Sequence, residues 1–210
     1  MTAKVGKANG TRMFFVVVVM ATFLTTMMDA APADRHPRVR QVNRRAERQQ
    51  DRIAAGVKSG QLTARETANL ETKEAALKSE ERTFRLENGG SLTRGEQAKL
   101  NKQENNLSAQ IYNQKHDAQT ATTTPKSEVG ARLENQQDRI GAGIASGQLT
   151  AGEAARLEAR EVELRHEIST DRSTNGGKLT DAERKEINQE LNGLSGRIYK
   201  QKHDEQTQPH

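Results

Sequence analysis

The sequence predicts an all-α fold, a tandem duplication of a three-helix module built from helical hairpins. Three observations carry that expectation. Residues 41–120 recur at 128–207 without a gap, shifted by 87 positions and identical at roughly half of the aligned sites. Self-similarity at a fixed period marks a duplicated structural unit. Within each repeat the apolar residues return at helical spacing and not in the alternation of a strand. Finally, four stretches of the form Gly-x-Leu-Thr-x-x-Glu punctuate the chain, with Thr/Glu pairs at Thr63/Glu66, Thr93/Glu96, Thr150/Glu153 and Thr180/Glu183. Glycine supplies the left-handed backbone that ends a helix, and Thr followed three residues later by Glu is a capping box that starts the next one.

In chain order, residues 1–33 read as a secretory signal. Lys4, Lys7 and Arg12 precede an apolar run from Met13 to Met28, and Ala31-Pro32-Ala33 offers a small-residue cleavage site. A retained membrane anchor is the alternative, and the run is short of the roughly twenty residues that a spanning helix needs. Either way the remainder lies outside the cytoplasm. The first repeat, 34–117, is expected to hold helices at 36–58, 64–87 and 94–116. Leu70, Leu77 and Phe84 form one stripe, and Leu100, Leu107 and Ile111 another. Residues 118–127, with Thr120 to Thr124 and Pro125, carry no apolar pattern and read as a linker. The second repeat, 128–207, is expected to hold helices at 128–145, 151–172 and 181–203. Their stripes are Ile140 with Ile144, Leu157 with Leu164 and Ile168, and Ile187 with Leu191, Leu194 and Ile198.

The stripes are narrow. Aromatic residues make up 3% of the chain and charged residues 29%. About a dozen large apolar side chains per repeat, each worth ~1.5–3 kcal/mol when buried, leave little net stability once chain entropy is counted. An elongated or loosely packed bundle is therefore expected, completed by the other repeat or by another chain. There is no cysteine, which removes disulfides and lipidated thiols. Pairs such as Glu74/Lys78 and Glu161/Arg165 are spaced for contact along a helix face. The many carboxylates are expected on solvated faces, with no apolar pocket to raise a pKa.

Two motifs are candidate sites. The Gly-x-Leu-Thr-x-x-Glu spacing matches the second half of an EF-hand loop. Allowing one inserted residue, Asp171, Ser173 and Asn175 with Glu183 form a candidate calcium site; the first repeat has Phe84, Leu86 and Asn88 at the matching positions. A glycine stop followed by a capped helix explains all four copies without a metal. The second motif is Ile-Tyr-x-Gln-Lys-His-Asp at 111–117 and 198–204. Tyr112 and His116, like Tyr199 and His203, stand four apart on one helix face and are the candidate partner contacts. The formal net charge of +5 invites a polyanion, but acidic and basic residues alternate along the helices and aromatic platforms are scarce, so nucleic acid is not expected. No nucleophile elbow, phosphate loop or dinucleotide fingerprint is present.

Through Gln-Gln-Asp-Arg-Ile, Ser-Gly-Gln-Leu-Thr-Ala, Asn-Gly-Gly-x-Leu-Thr and Ile-Tyr-x-Gln-Lys-His-Asp, the chain resembles a group of uncharacterised exported bacterial proteins. The resemblance implies an all-helical secreted repeat protein with degenerate EF-hand-like half-loops, and it carries no activity or functional residue with it. The function expected is that of a periplasmic or secreted, non-enzymatic interaction or structural module of the cell envelope, whose partner is a protein or an envelope component. Calcium binding is the first alternative and polyanion binding the second. Membrane contact is expected only if the apolar run is retained.

Overall fold

The structure, a computed structural model, describes residues 36–121 and 127–208. The proposed signal segment and residues 122–126 of the proposed linker lie outside them. Six helices follow one another: α1 (Pro37–Lys58), α2 (Ala64–Glu87), α3 (Arg94–Lys115), α4 (Glu128–Ala145), α5 (Ala151–Thr174) and α6 (Asp181–Lys202). The described residues contain no strand and no helix long and apolar enough to cross a membrane.

Each boundary follows from local chemistry. Thr63, Thr93, Thr150 and Thr180 cap α2, α3, α5 and α6, and the Glu three residues on returns the bond to the cap residue's own N–H. Such boxes satisfy backbone donors that the first helical turn leaves without partners. Ser127 caps α4, whereas α1 starts on Pro37 with no side-chain cap. Between the helices of each hairpin the chain turns through Gly90 (φ 90°) and Gly177 (φ 89°), a backbone region that L-residues avoid. The largest revision is at α5, which runs two residues beyond the expected 172 and takes in Ser173 and Thr174, while the start of α1 and the ends of α3 and α6 each move by one residue.

The repeated Gln-Gln-Asp-Arg-Ile motif stitches first helix to third. Gln49 donates to the Glu104 carbonyl (2.8 Å), and Gln136 to that of Leu191 (2.7 Å). Arg52 reaches the Ser108 carbonyl and Arg139 that of Ser195. Ile53 and Ile140 are fully buried below them. In return the Lys115 ammonium caps the Arg52 carbonyl, and Lys202 that of Arg139. Gly56 and Gly143 let the following turn fold back, since a Cβ on either would lie 2.6 Å from Leu62 or Leu149.

Each repeat thereby gains an inner core. Ile53, Val57, Leu62, Leu70, Leu107 and Ile111 form it in the first, and Ile140, Ile144, Leu149, Leu157, Leu194 and Ile198 in the second. The repeats also pack on each other, and the pairing of α2 with α5 is the most extensive in the molecule, followed by α1 with α4. Small residues allow the α1–α4 approach: Ala54 packs into the second repeat's core, and a Cβ on Gly141 would sit 3.0 Å from Val57. The apolar stripes pack mainly within their own repeat, and Ala54 is the one buried residue that joins a cluster of the other.

Candidate functional site

The α2–α5 seam contains carboxylates where the sequence pattern led us to expect solvated faces. Glu71 and Glu158 are 0% exposed, Glu74 is 1% and Glu161 0%, all four at equivalent positions of the two repeats. The solvated-face expectation therefore fails for these residues. Their spacing along α2 and α5 suits a surface helix, but the other repeat covers that face.

Only part of their bonding capacity is met. The Gln50 amide donates to Glu71 Oε2 (3.0 Å), while Gln137 donates to both Glu158 Oε2 and Glu161 Oε2. Arg165 closes on Glu161 from α5 itself. Glu71 Oε1, Glu74 Oε2 and Glu158 Oε1 have no partner within the protein. A buried carboxylate without enough donors favours its neutral form. Burial accordingly pushes the Glu71 pKa up to about 8 against the opposing Gln50 bond. Burial also raises Glu74 to about 7, countered by Lys78 and reinforced by Glu104. Glu158 lies well above the ordinary carboxylate range, first through burial and then through Glu161, with Glu71 adding to the push. Glu161 is raised by burial although Arg165 and Gln137 oppose it.

The first repeat extends this buried acidity outward. Glu104 (2% exposed) pairs with Arg45 at 2.7 Å, yet burial outweighs that attraction and raises its pKa to about 7. Glu81 is buried on α2 and raised for the same reason, with Arg85 opposing.

The Tyr/His pairs sit at the ends of α3 and α6 and are exposed. Tyr112 stacks on His116 and Tyr199 on His203, each with ring centroids 4.2 Å apart and an interplanar angle of 26°. The histidine Nδ1 lies 2.7 Å from the tyrosine's own carbonyl in both. A carbonyl only accepts, so Nδ1 is the donor in this contact. The tyrosines are 58% and 59% exposed, and Leu86 is the only other large hydrophobic side chain exposed among the described residues.

The four residues of the candidate calcium site are held as helix punctuation. Asp171 and Ser173 lie within α5, and Asn175 is its C-cap. Asn175 Nδ2 donates to the Asp171 carbonyl (2.9 Å) and to both carboxylate oxygens of Glu183 (2.7 and 2.9 Å). The Ser173 hydroxyl donates to the Thr170 carbonyl. Asn88 makes the same bonds to the Phe84 carbonyl and to Glu96 in the first repeat, where the other would-be ligands are missing. Hydrogen bonds from the capped turn hold the Glu96 and Glu183 carboxyls below their usual pKa. Beside this turn, Asp171, Glu186 and Glu190 raise the Glu167 pKa, after burial. Among the described residues no group of three or more His, Asp or Glu side chains is placed to hold a metal ion.

Comparison with family models, with curated proteins and with solved structures finds no match to this chain.

Proposed function

We propose that the chain is an exported, non-enzymatic interaction module that presents one contact element twice. The observation that carries this reading is the pair of Tyr/His stacks, repeated with the same geometry and exposure at the ends of α3 and α6. Neither tyrosine ring is needed by the core, because Ile111 and Ile198 occupy the inward positions beside them. An exposed tyrosine offers apolar area and a hydroxyl at low entropic cost, which is why such residues anchor partner contacts. The seam carboxylates support a non-enzymatic role, since groups with no access to solvent cannot reach a substrate. Export rests on the basic start, the apolar run and the small-residue cleavage site, together with the resemblance to exported repeat proteins.

The test is capture of envelope components by the immobilised chain, comparing wild type with Tyr112→Ala, Tyr199→Ala and the double variant. Each single variant is expected to weaken capture. The double variant should lose more than either, because linking two sites raises the effective concentration at the second. Helical circular dichroism should not change. Undiminished capture by the double variant would remove the proposal. A steep loss of wild-type capture with added salt would instead favour polyanion binding.

A further inference from the structure

The seam has a property that the contact surface does not use. Two equivalent helices from the two repeats meet through their glutamates, and the molecule encloses Glu71, Glu74, Glu158 and Glu161 together. The buried neighbours supply donors for only some of the oxygens. Glu71 and Glu158 are 0% exposed, and each keeps one carboxylate oxygen without a partner in the protein. We propose that the seam is a proton-binding site: protons carried by Glu71 and Glu158 hold the two repeats together, and their loss lets α2 and α5 part.

The elements packed around the seam bring few positive charges to its acids. From α1 the seam is faced by the Gln50 amide, which carries no charge, while Arg45 and Arg48 lie toward Glu104. Lys78 on α2 attracts Glu71 and Glu74 through space without forming an ion pair with either. α3 contributes Glu104, a further acid. α4 contributes Gln137, whose Oε1 is itself without a partner. On α5, Arg165 is committed to Glu161. The C-terminal tail brings Gln208, which donates to Gln50 and not to a carboxylate. Counting inward, four acids face Lys78 and Arg165, so the seam cannot be neutral with every carboxyl ionised. A proton on Glu71 or Glu158 removes a buried charge and turns an oxygen with no partner into a donor.

The sign follows from linkage. A carboxyl whose pKa is higher in the folded chain than in the unfolded one binds more protons when folded. Its stabilisation is complete below the ordinary carboxylate value of 4.5 and is lost as pH rises through the folded value, about 8 for Glu71. Stability should therefore fall between about pH 5 and pH 9.

The experiment is a thermal melt series on the full chain from pH 5 to pH 9, with amide hydrogen exchange at both ends of the range. Three chains are compared: wild type, Glu71→Gln/Glu158→Gln, and Glu163→Gln, which changes an exposed carboxylate on α5. Glutamine copies the size and neutrality of the protonated acid. The wild-type melting temperature is expected to fall by on the order of 10 °C across the range. The double variant should lose at least half of that slope, and Glu163→Gln none of it. Protection should be lost first in α2 and α5. A flat wild-type series would overturn the proposal, as would a double variant as steep as wild type. If the double variant does not fold, exchange in the wild type decides: loss spread evenly over all six helices at high pH contradicts a site in the seam.

Discussion

The inner cores of the two repeats superimpose residue for residue in kind, whereas the outer cores do not. In the second repeat Val129, Leu133, Leu164, Ile168, Ile187 and Leu191 form an apolar cluster at the end nearer the Asn-Gly-Gly turn. In the first, the positions of Leu133, Ile168 and Leu191 hold Ala46, Glu81 and Glu104. That change leaves a void of about 10 Å³ among Val42, Ala46, Leu77 and Leu100, near the minimum for one water. The first repeat compensates from outside. Val39, fully buried, packs with Val42, Leu92 and Leu100, and Phe84 and Leu77 close over them. His36 Nδ1 meets the Ser91 hydroxyl, and Arg38 donates to the Leu92 carbonyl. Where the first repeat has Phe84, the second has Asp171. Its corresponding end opens as a groove of about 890 Å³ between Leu133, Ile168 and Leu179 and the guanidinium groups of Arg165 and Arg172. The outer core of the first repeat thus holds two acids where that of the second is apolar. Duplication preserved the hairpin punctuation and the seam while the outer ends diverged.

The largest effect is expected from making the first repeat resemble the second. Glu81→Ile with Glu104→Leu replaces two buried acids by the residues found at the equivalent positions. Exchanging buried ionic groups for apolar ones of similar volume is commonly stabilising by about 1–4 kcal/mol. Arg45 keeps Asn105 as an acceptor. A denaturant titration at pH 8 should show the gain, and the gain should shrink at pH 5, where Glu104 is already neutral. A loss at both pH values would mean that the Arg45–Glu104 pair stabilises the first repeat.

The inner cores should respond alike. Gly56→Ala and Gly143→Ala each place a methyl group against a buried leucine, a change that costs about 1–3 kcal/mol in a close-packed core. Unequal losses would show that the inner cores differ more than their side chains suggest. Smaller again is the matched pair Asn88→Ala and Asn175→Ala, each removing bonds to a helix carbonyl and to a capping-box glutamate, at about 1 kcal/mol. If the half-loops are punctuation only, both losses should be equal with calcium or with EDTA. A calcium-dependent melting temperature that Asn175→Ala alone abolishes would sharpen the comparison in favour of a metal site in the second repeat. The smallest effect is expected at the surface. Lys99 pairs with Glu80 at 2.6 Å in the first repeat, while the second has Glu186 facing the position of Glu167. Glu186→Lys should add at most ~1 kcal/mol, and less at high salt.

Local signals made the helices legible and long-range pairing did not. The Thr/Glu boxes and glycine turns act within a few residues, so the ends of α2, α3, α4 and α6 follow from the sequence to within a residue. The end of α5 was misplaced because Ser173 and Thr174 find carbonyl acceptors inside the helix at Thr170, which lets it continue to the Asn175 cap. The seam was illegible for a different reason. Glu71, Glu74, Glu158 and Glu161 have the spacing of a solvated helix face, and their burial depends on which helix of the other repeat lies opposite. Gln50 and Gln137 did carry a readable hint, since both glutamines recur in the duplicated motif at the positions that clamp these acids. The Tyr/His pairs were legible as sharing a face, and the structure adds that they stack.

Protonation of the seam can be read directly. We would label the glutamate side chains with carbon-13 and follow their carboxyl resonances in the full chain from pH 4 to pH 9, assigning Glu71 and Glu158 by their glutamine variants. The expected result is that Glu71 titrates at about pH 8 and that Glu158 titrates well above the ordinary carboxylate value of 4.5. Titration of both at the ordinary carboxylate value would contradict it, since the repeats would then pair across ionised carboxylates at neutral pH.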